Sequence, residues 1–500
     1  MRAILCRELL ENLKSLRFII LVAMSILMFS ANGFIFARRH SIKTASYQTR
    51  IIQSPSMPAH ANVNEDVFLV NKNRIFDTNG GPNYPRPSTI STELYVPPNP
   101  LLFIAEGGEK YWPYGYTVRP GGVIEKLHTN PRNYKLPDIP EPDWIFIVSI
   151  AFSLYIILFG HNLISGEKQQ GTLTLVLSNP LSRNKLLFPK YCSLMITIMI
   201  PVSIGVLISY IIFSLFSPEI ITWDNILRII LMYFASFLFL SLFVFLCLII
   251  TSLIWQSSIG LLLLLLIWVI FVFEPYAAFL IAEQISNVPD ETELTNRIDT
   301  EIVNFLTANT NEYLNSTSPD FKGYFDSEEK AKKALYLTMN KTQKNIQHIY
   351  DANENSLFRY LFTVRNISLI SPVGILQDIA KNIAGSGVMA IRNFFSDVQV
   401  FSGRYDEFIQ QKLGEIIITT RDAQAAYYLA NSNDNGKKVL QANVPQEYDG
   451  DKRDFPSFKE SGLSVAHILN NISFDIIGLL LWNIVLAITA CAVFSRADVR

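Results

Sequence analysis

Cysteine, histidine and charge are all scarce in this chain, and each shortage closes off a class of function. The four cysteines, Cys6, Cys192, Cys247 and Cys491, lie in or beside apolar blocks or the N-terminal helix, so no disulfide framework holds the long polar stretches. Six histidines (His40, His60, His128, His161, His348, His467) are scattered without metal-ligand spacing, and no His-Glu-x-x-His marks a zinc protease. The polar stretches carry only Met57, Met339 and Met389 as further soft ligands, too few for a copper site. Ser386, between Gly385 and Gly387, lacks the full Gly-x-Ser-x-Gly of a nucleophile elbow. No Gly-x-x-x-x-Gly-Lys-Ser/Thr cradles a phosphate; the lone Gly436-Lys437 runs into Lys438. A net charge of -1 leaves no basic footprint for nucleic acid.

Apolar residues fill the gap. They make up 50% of the 500 residues, and only 17% are charged, against about 25% in an ordinary soluble domain. They come in blocks of the roughly 20 residues that a membrane-crossing helix needs. Six blocks qualify: Phe18 to Ala37, Trp144 to Ile164, Tyr191 to Phe216, Ile226 to Leu253, Ile259 to about Ile281, and Ile472 to Phe494. The first is long and follows an amphipathic helix, so a cleavable signal peptide is not expected.

Basic residues orient the blocks. Arg2, Arg7, Lys14 and Arg17 precede the first block, and Lys168, Arg183, Lys185 and Lys190 lie between the second and third. Arg496 and Arg500 follow the last, whereas residues 217–225 have no Lys or Arg. The positive-inside rule then predicts both termini in the cytoplasm, in a cytoplasmic (inner) membrane. Arg38, Arg39 and Lys43 sit on the wrong side, though long translocated loops largely escape the rule.

The expected organisation is mainly α: an elbow helix over 1–17, a span over 18–37, an extracytoplasmic insertion over 38–143 and a span over 144–164. A cytoplasmic loop over 165–190, three spans within 191–281, a second insertion over 282–471, a span over 472–494 and a tail over 495–500 complete it. The first insertion predicts a small strand-containing domain, with β-prone runs at Val67 to Val70 and Leu101 to Ala105. The second, larger one predicts helices at Glu291 to Asn315, Ser327 to Arg365 and Gly403 to Ala430. In the elbow, Leu5, Leu9, Leu13 and Leu16 form one stripe with Arg7, Glu8, Glu11 and Lys14 opposite.

The cytoplasmic loop is the most informative stretch. Glu167 leads into Gly171-Thr172-Leu173, the apolar Leu173 to Leu177 with Leu175 at its centre, and Ser178-Asn179-Pro180-Leu181-Ser182-Arg183. Gly171 allows a chain reversal, Thr172 can cap a short helix, and Pro180 stops it. The order resembles the permeases of type-2 ATP-binding-cassette exporters. Ile370-Ser371-Pro372-Val373-Gly374, Ala384-Gly385-Ser386-Gly387 and the ending Phe494-Ser495-Arg496-Ala497-Asp498-Val499-Arg500 are similar to a branch of that family with large outer loops.

The resemblance implies an ATPase-coupling role for Glu167, Gly171, Thr172, Leu173, Leu175, Pro180, Ser182 and Arg183. It also implies a second permease, ATP and Mg held by a separate cytosolic ATPase, and no catalysis here. Glu274, followed by Pro275 in the fifth block, is a candidate for the translocation path, as is Asp475 at the start of the sixth. Pro275 is expected to kink or end its helix and turn Tyr276 to Ile281 along the surface. A non-transporting scaffold binding envelope machinery is the competing expectation.

Overall fold

The computed structural model describes residues 2–53, 92–107, 112–119, 122–127, 142–173, 183–286, 293–294, 296–301, 328–412, 456–459 and 465–496. Six of its helices are long and apolar enough to cross a membrane. After α1 (Arg2–Leu13) they are α2 (Leu16–Gln53), α3 (Trp144–Gln169), α4 (Arg183–Phe216), α5 (Trp223–Leu253), α6 (Ser257–Ile285) and, last in the chain, α10 (Val465–Arg496). Between α2 and α3 lies an antiparallel sheet of β1 (Thr92–Tyr95), β2 (Gly115–Arg119) and β3 (Val123–Leu127). Between α6 and α10 come α7 (Glu328–Ser368), α8 (Pro372–Ala384) and α9 (Val388–Lys412). We call the end where α2 starts and α10 finishes the base, and the opposite end the cap.

Several helices outrun their apolar blocks because the cap and base supply partners for the extra turns. α2 continues 16 residues past Ala37, about 24 Å at 1.5 Å per residue. α4 begins at Arg183 rather than Tyr191 and runs through Pro189 and Pro201. Of the kink or end expected at Pro275, the end is not found: α6 continues to Ile285, because Ala278 and Ala282 pack on Leu357, Tyr360 and Val364 of α7. Proline removes the N–H that would bond the carbonyl four residues back. Here that carbonyl is Phe271's, and it accepts instead from Ser371 Oγ at 2.9 Å.

Ser371 also caps α8, its Oγ accepting from Val373 N–H at 3.1 Å. The following Pro372 pre-sets the first turn. Gly374 then lets α8 lie directly on the end of α7, since a Cβ there would stand 1.8 Å from the Ser368 carbonyl oxygen. α8 inserts its apolar side (Ile375, Leu376, Ile379, Ile383) into the core of the spans.

The run Leu101 to Ala105 is a buried turn, not the expected strand. Its carbonyls serve the first turn of α3, whose N–H groups have no partner within the helix: Trp144 N–H donates to Phe103 O at 2.9 Å and Ile145 N–H to Ile104 O at 3.3 Å. Buried Asn32 of α2 clamps the same turn, donating to Phe103 O at 3.0 Å and Pro142 O at 2.8 Å while accepting from Ser209 Oγ at 2.8 Å. The other β-prone run, Val67 to Val70, lies outside the described residues. So does the expected helix beyond Lys412, while residues 296–301 of the Glu291 to Asn315 stretch are helical.

The two polar insertions build one cap. Leu94, Tyr116, Val118 and Ile124 of the sheet share a core with Phe358 of α7 and with Phe394, Phe395, Val398 and Phe401 of α9. Ion pairing of Lys126 with Glu354 and donation from Ile124 N–H to Gln347 Oε1 at 2.9 Å reinforce it. The residues around Gly385-Ser386-Gly387 therefore divide: Ile379 and Ile383 join the spans, Phe394 and Phe395 the sheet.

Gly374→Ala must displace backbone and is expected to destabilise by about 1–3 kcal/mol or more. Gly403→Ala on α9, with nothing within 4 Å of the new Cβ, should be neutral or slightly stabilising. Thermal unfolding of both variants in detergent separates the two outcomes.

Candidate functional site

At the base, the end of α3 that leads into the loop is tied to α1, α4 and the α5–α6 turn. Lys190 of α4 is only 2% exposed, and an unpaired ammonium there would cost several kcal/mol. It donates to Glu8 Oε1 of α1 at 2.7 Å, to Glu167 Oε1 at 2.9 Å and to the Leu163 carbonyl at 3.0 Å. Ser193 Oγ adds a bond to Glu8 Oε2 at 3.3 Å. One cation thus joins the elbow helix, the end of α3 and the start of α4.

Glu8 belongs by sequence to the polar face of the elbow, yet it turns inward beside the half-buried Leu5, Leu9 and Asn12. The attraction of Lys190 outweighs the expected amphipathic placement. α1 packs against α4, and Ser15 makes the corner into α2 by accepting from Phe18 N–H at 3.2 Å.

A second set of bonds reaches the turn between α5 and α6. Lys168 Nζ donates to the Ser252 carbonyl. Ser165 Oγ lies 3.1 Å from Ser257 Oγ, which in turn donates to Gln169 Oε1 at 3.2 Å. Glu167, Lys168 and Gln169 therefore point three ways, as consecutive residues on one turn of helix must.

Gly171 follows with φ +71°, the left-handed conformation that reverses the chain. Thr172 and Leu173 open the next helical turn. Thr172 does not cap it from outside as expected, but lies within it, its Oγ1 donating back to Glu167 O at 3.3 Å. Leu173 is buried in the core of the spans. Leu175, Pro180 and Ser182 lie outside the described residues, and Arg183 is the first residue of α4.

Glu274 lies on α6, its Oε2 buried and without a hydrogen-bond partner among the described residues. Asp475 is 5% exposed and pairs with Arg365 of α7, whose Nη2 is 3.4 Å away and also 2.9 Å from Asp378 of α8. Sequence reasoning missed Arg365, Asn32 and the joining role of Lys190. Each is a polar residue whose partner lies far along the chain.

A family model described as ABC-2 family transporter protein matches residues 2–322. The chain belongs to the ABC-2 family. It is an integral, multi-pass membrane permease, a transport component that is not itself catalytic. The match spans α1 to α6 and the whole base loop. No curated protein and no solved structure matches the chain.

Near the cap end of α3 the permease buries Asp143, which accepts from Phe146 N–H at 2.8 Å and Glu106 N–H at 3.1 Å. Burial pushes its carboxyl up from 3.8 to about 7, against the lowering effect of those two bonds. The folded state then binds more protons than the unfolded chain between about pH 4 and 7. Its contribution to stability is therefore full below that window and lost as pH rises through it.

Two outcomes are expected at this stage. Lys190→Met strands two carboxylates and should cost on the order of 3–5 kcal/mol, with partial recovery on adding Glu8→Gln and Glu167→Gln, read by thermal unfolding. Separately, wild type should lose stability relative to Asp143→Asn between pH 5 and pH 8, which thermal midpoints at the two pH values measure.

Proposed function

We propose that this permease is the membrane half of an ATP-driven exporter, with nucleotide bound and hydrolysed by a separate cytosolic ATPase. Two permeases, identical or homologous, would enclose the path, embedded in the lipid of the cytoplasmic membrane with both termini inside. The base loop from Glu167 to Arg183, including Leu175, Pro180 and Ser182, would receive the ATPase's motion. The cap would then lie outside the cytoplasm.

The observation that carries this reading is the Glu8–Lys190–Glu167 tie. A force on an isolated loop would be absorbed by loop bending. Here Glu167 and Lys168, just before Gly171, are bonded to Lys190 of α4, which also holds Glu8 of α1, and to the α5–α6 turn, so displacement of the loop is shared among the spans. Two discrete arrangements of such a packed unit are what coupling over distance requires. Glu274 would face the outer vestibule, its Oε2 supplying a polar point at the end of the apolar run that begins at Ile259.

A scaffold that uses the same ATPase for mechanical work would need the same base. Cargo separates the two: an exporter hydrolyses ATP faster when cargo is supplied, and a scaffold does not. Reconstituted with its ATPase in liposomes, the wild-type permease should show cargo-stimulated hydrolysis. Gly171→Val, strained at φ +71°, should reduce that stimulation while leaving the basal rate of the ATPase intact. Failure to co-purify with any ATPase would refute the export reading.

A further inference from the structure

The cap holds a cavity of about 500 Å³, within the range that takes a small ligand. It lies between the continuation of α2, the loop after β1, the first turns of α5 and the α8–α9 turn. On α2 it is lined by Lys43, Ser46, Tyr47 and Arg50, the i, i+3, i+4, i+7 stripe of a single helix face. Arg228 of α5 is a third cation on the wall, and Asp397 is the sole carboxylate among the lining residues.

Arg50 is built into position. Its guanidinium lies 3.7 Å from the centre of the Tyr114 ring, which stacks on Tyr95 at 6.2 Å. Among the described residues no carboxylate comes within 4.0 Å of it. Stacking occupies the face of the guanidinium and leaves its N–H edge available for a bidentate acceptor. Arg228 is held by Asp224 at 2.7 Å.

The height of these groups matters as much as their charge. Arg228 is two residues past Ile226, where the apolar block of α5 begins, and so lies at headgroup depth. Lys43 is six residues past Ala37, about 9 Å beyond the apolar end of α2, and Arg50 is about 10 Å further on. A cationic wall thus climbs from headgroup level into the cap, faced by Tyr47, Trp112, Tyr114 and Phe394. Such a wall accounts for Lys43, one of the three cations that the positive-inside rule leaves on the wrong side.

We propose that this cavity binds the anionic head, phosphate or carboxylate, of an amphiphilic molecule, with Arg50 and Lys43 holding the acid and the aromatic wall covering the rest. The site is compatible with an exporter and with a scaffold alike, so it stands apart from the export reading.

The test uses the full chain in zwitterionic nanodiscs. Dihexanoyl phosphatidylglycerol is titrated against its tryptophan fluorescence, with dihexanoyl phosphatidylcholine as the uncharged-head control and Trp112→Phe to locate the signal. Saturable binding at least tenfold tighter for the glycerol lipid is expected. Lys43→Gln with Arg50→Gln should weaken it about tenfold, and Arg50→Lys should also weaken it, since an ammonium neither stacks on Tyr114 nor offers a bidentate edge. Lipid of the anionic class found by mass spectrometry on the purified protein assigns the source to the membrane. Displacement by inorganic phosphate with no lipid retained assigns it to a soluble anion. Equal affinity for the two lipids, or unchanged affinity in the double variant, overturns the proposal.

Discussion

A lysine ammonium cannot sit at 2% exposure beside a membrane bundle without counter-charge, and the base of this permease is arranged around that need. Lys190 draws Glu8 out of the polar face of the elbow helix and Glu167 back from the loop. Because these two carboxylates come from different elements, satisfying one charge fixes three of them. Lys168, one residue after Glu167, fixes a fourth through Ser252. The described start of the loop, as far as Leu173, is therefore held to the bundle itself.

The same accounting of polar groups explains the cap. Inside a bundle with no water, each freed carbonyl or N–H needs a new partner. Pro275 frees the Phe271 carbonyl and Ser371 takes it. The start of α3 lacks carbonyls, and the turn after Pro100 supplies them from Phe103 and Ile104. These exchanges stitch the two insertions to the spans as well as to each other. Asn99 completes the seam by donating to Ala384 O at 2.6 Å, and Ser386 Oγ donates to Ala105 O at 2.8 Å.

Much of this was legible without coordinates. The six apolar blocks became six helices, since length and hydropathy alone decide which segments can satisfy their backbone internally in lipid. Glu328–Ser368 was readable from its helical period. Legibility failed where the partner was remote. Leu101 to Ala105 has the composition of a strand, but the orphan N–H groups of α3 and the amide of Asn32 compete successfully for its backbone. Pro275 reads as a helix end, and packing of Ala278 and Ala282 against α7 overrides it.

What the sequence determined by itself was the number of spans, the helical class, and the string around Gly171 that points to the family, because each depends on neighbours along the chain. What only the tertiary structure decided was that two insertions separated by residues 144–281 make one cap, that Lys190 is the hub of the base, and that Lys43 and Arg50 share a cavity wall with Arg228. Those facts depend on which charges and carbonyls meet in space, and burial fixes the pairing only after the helices have packed.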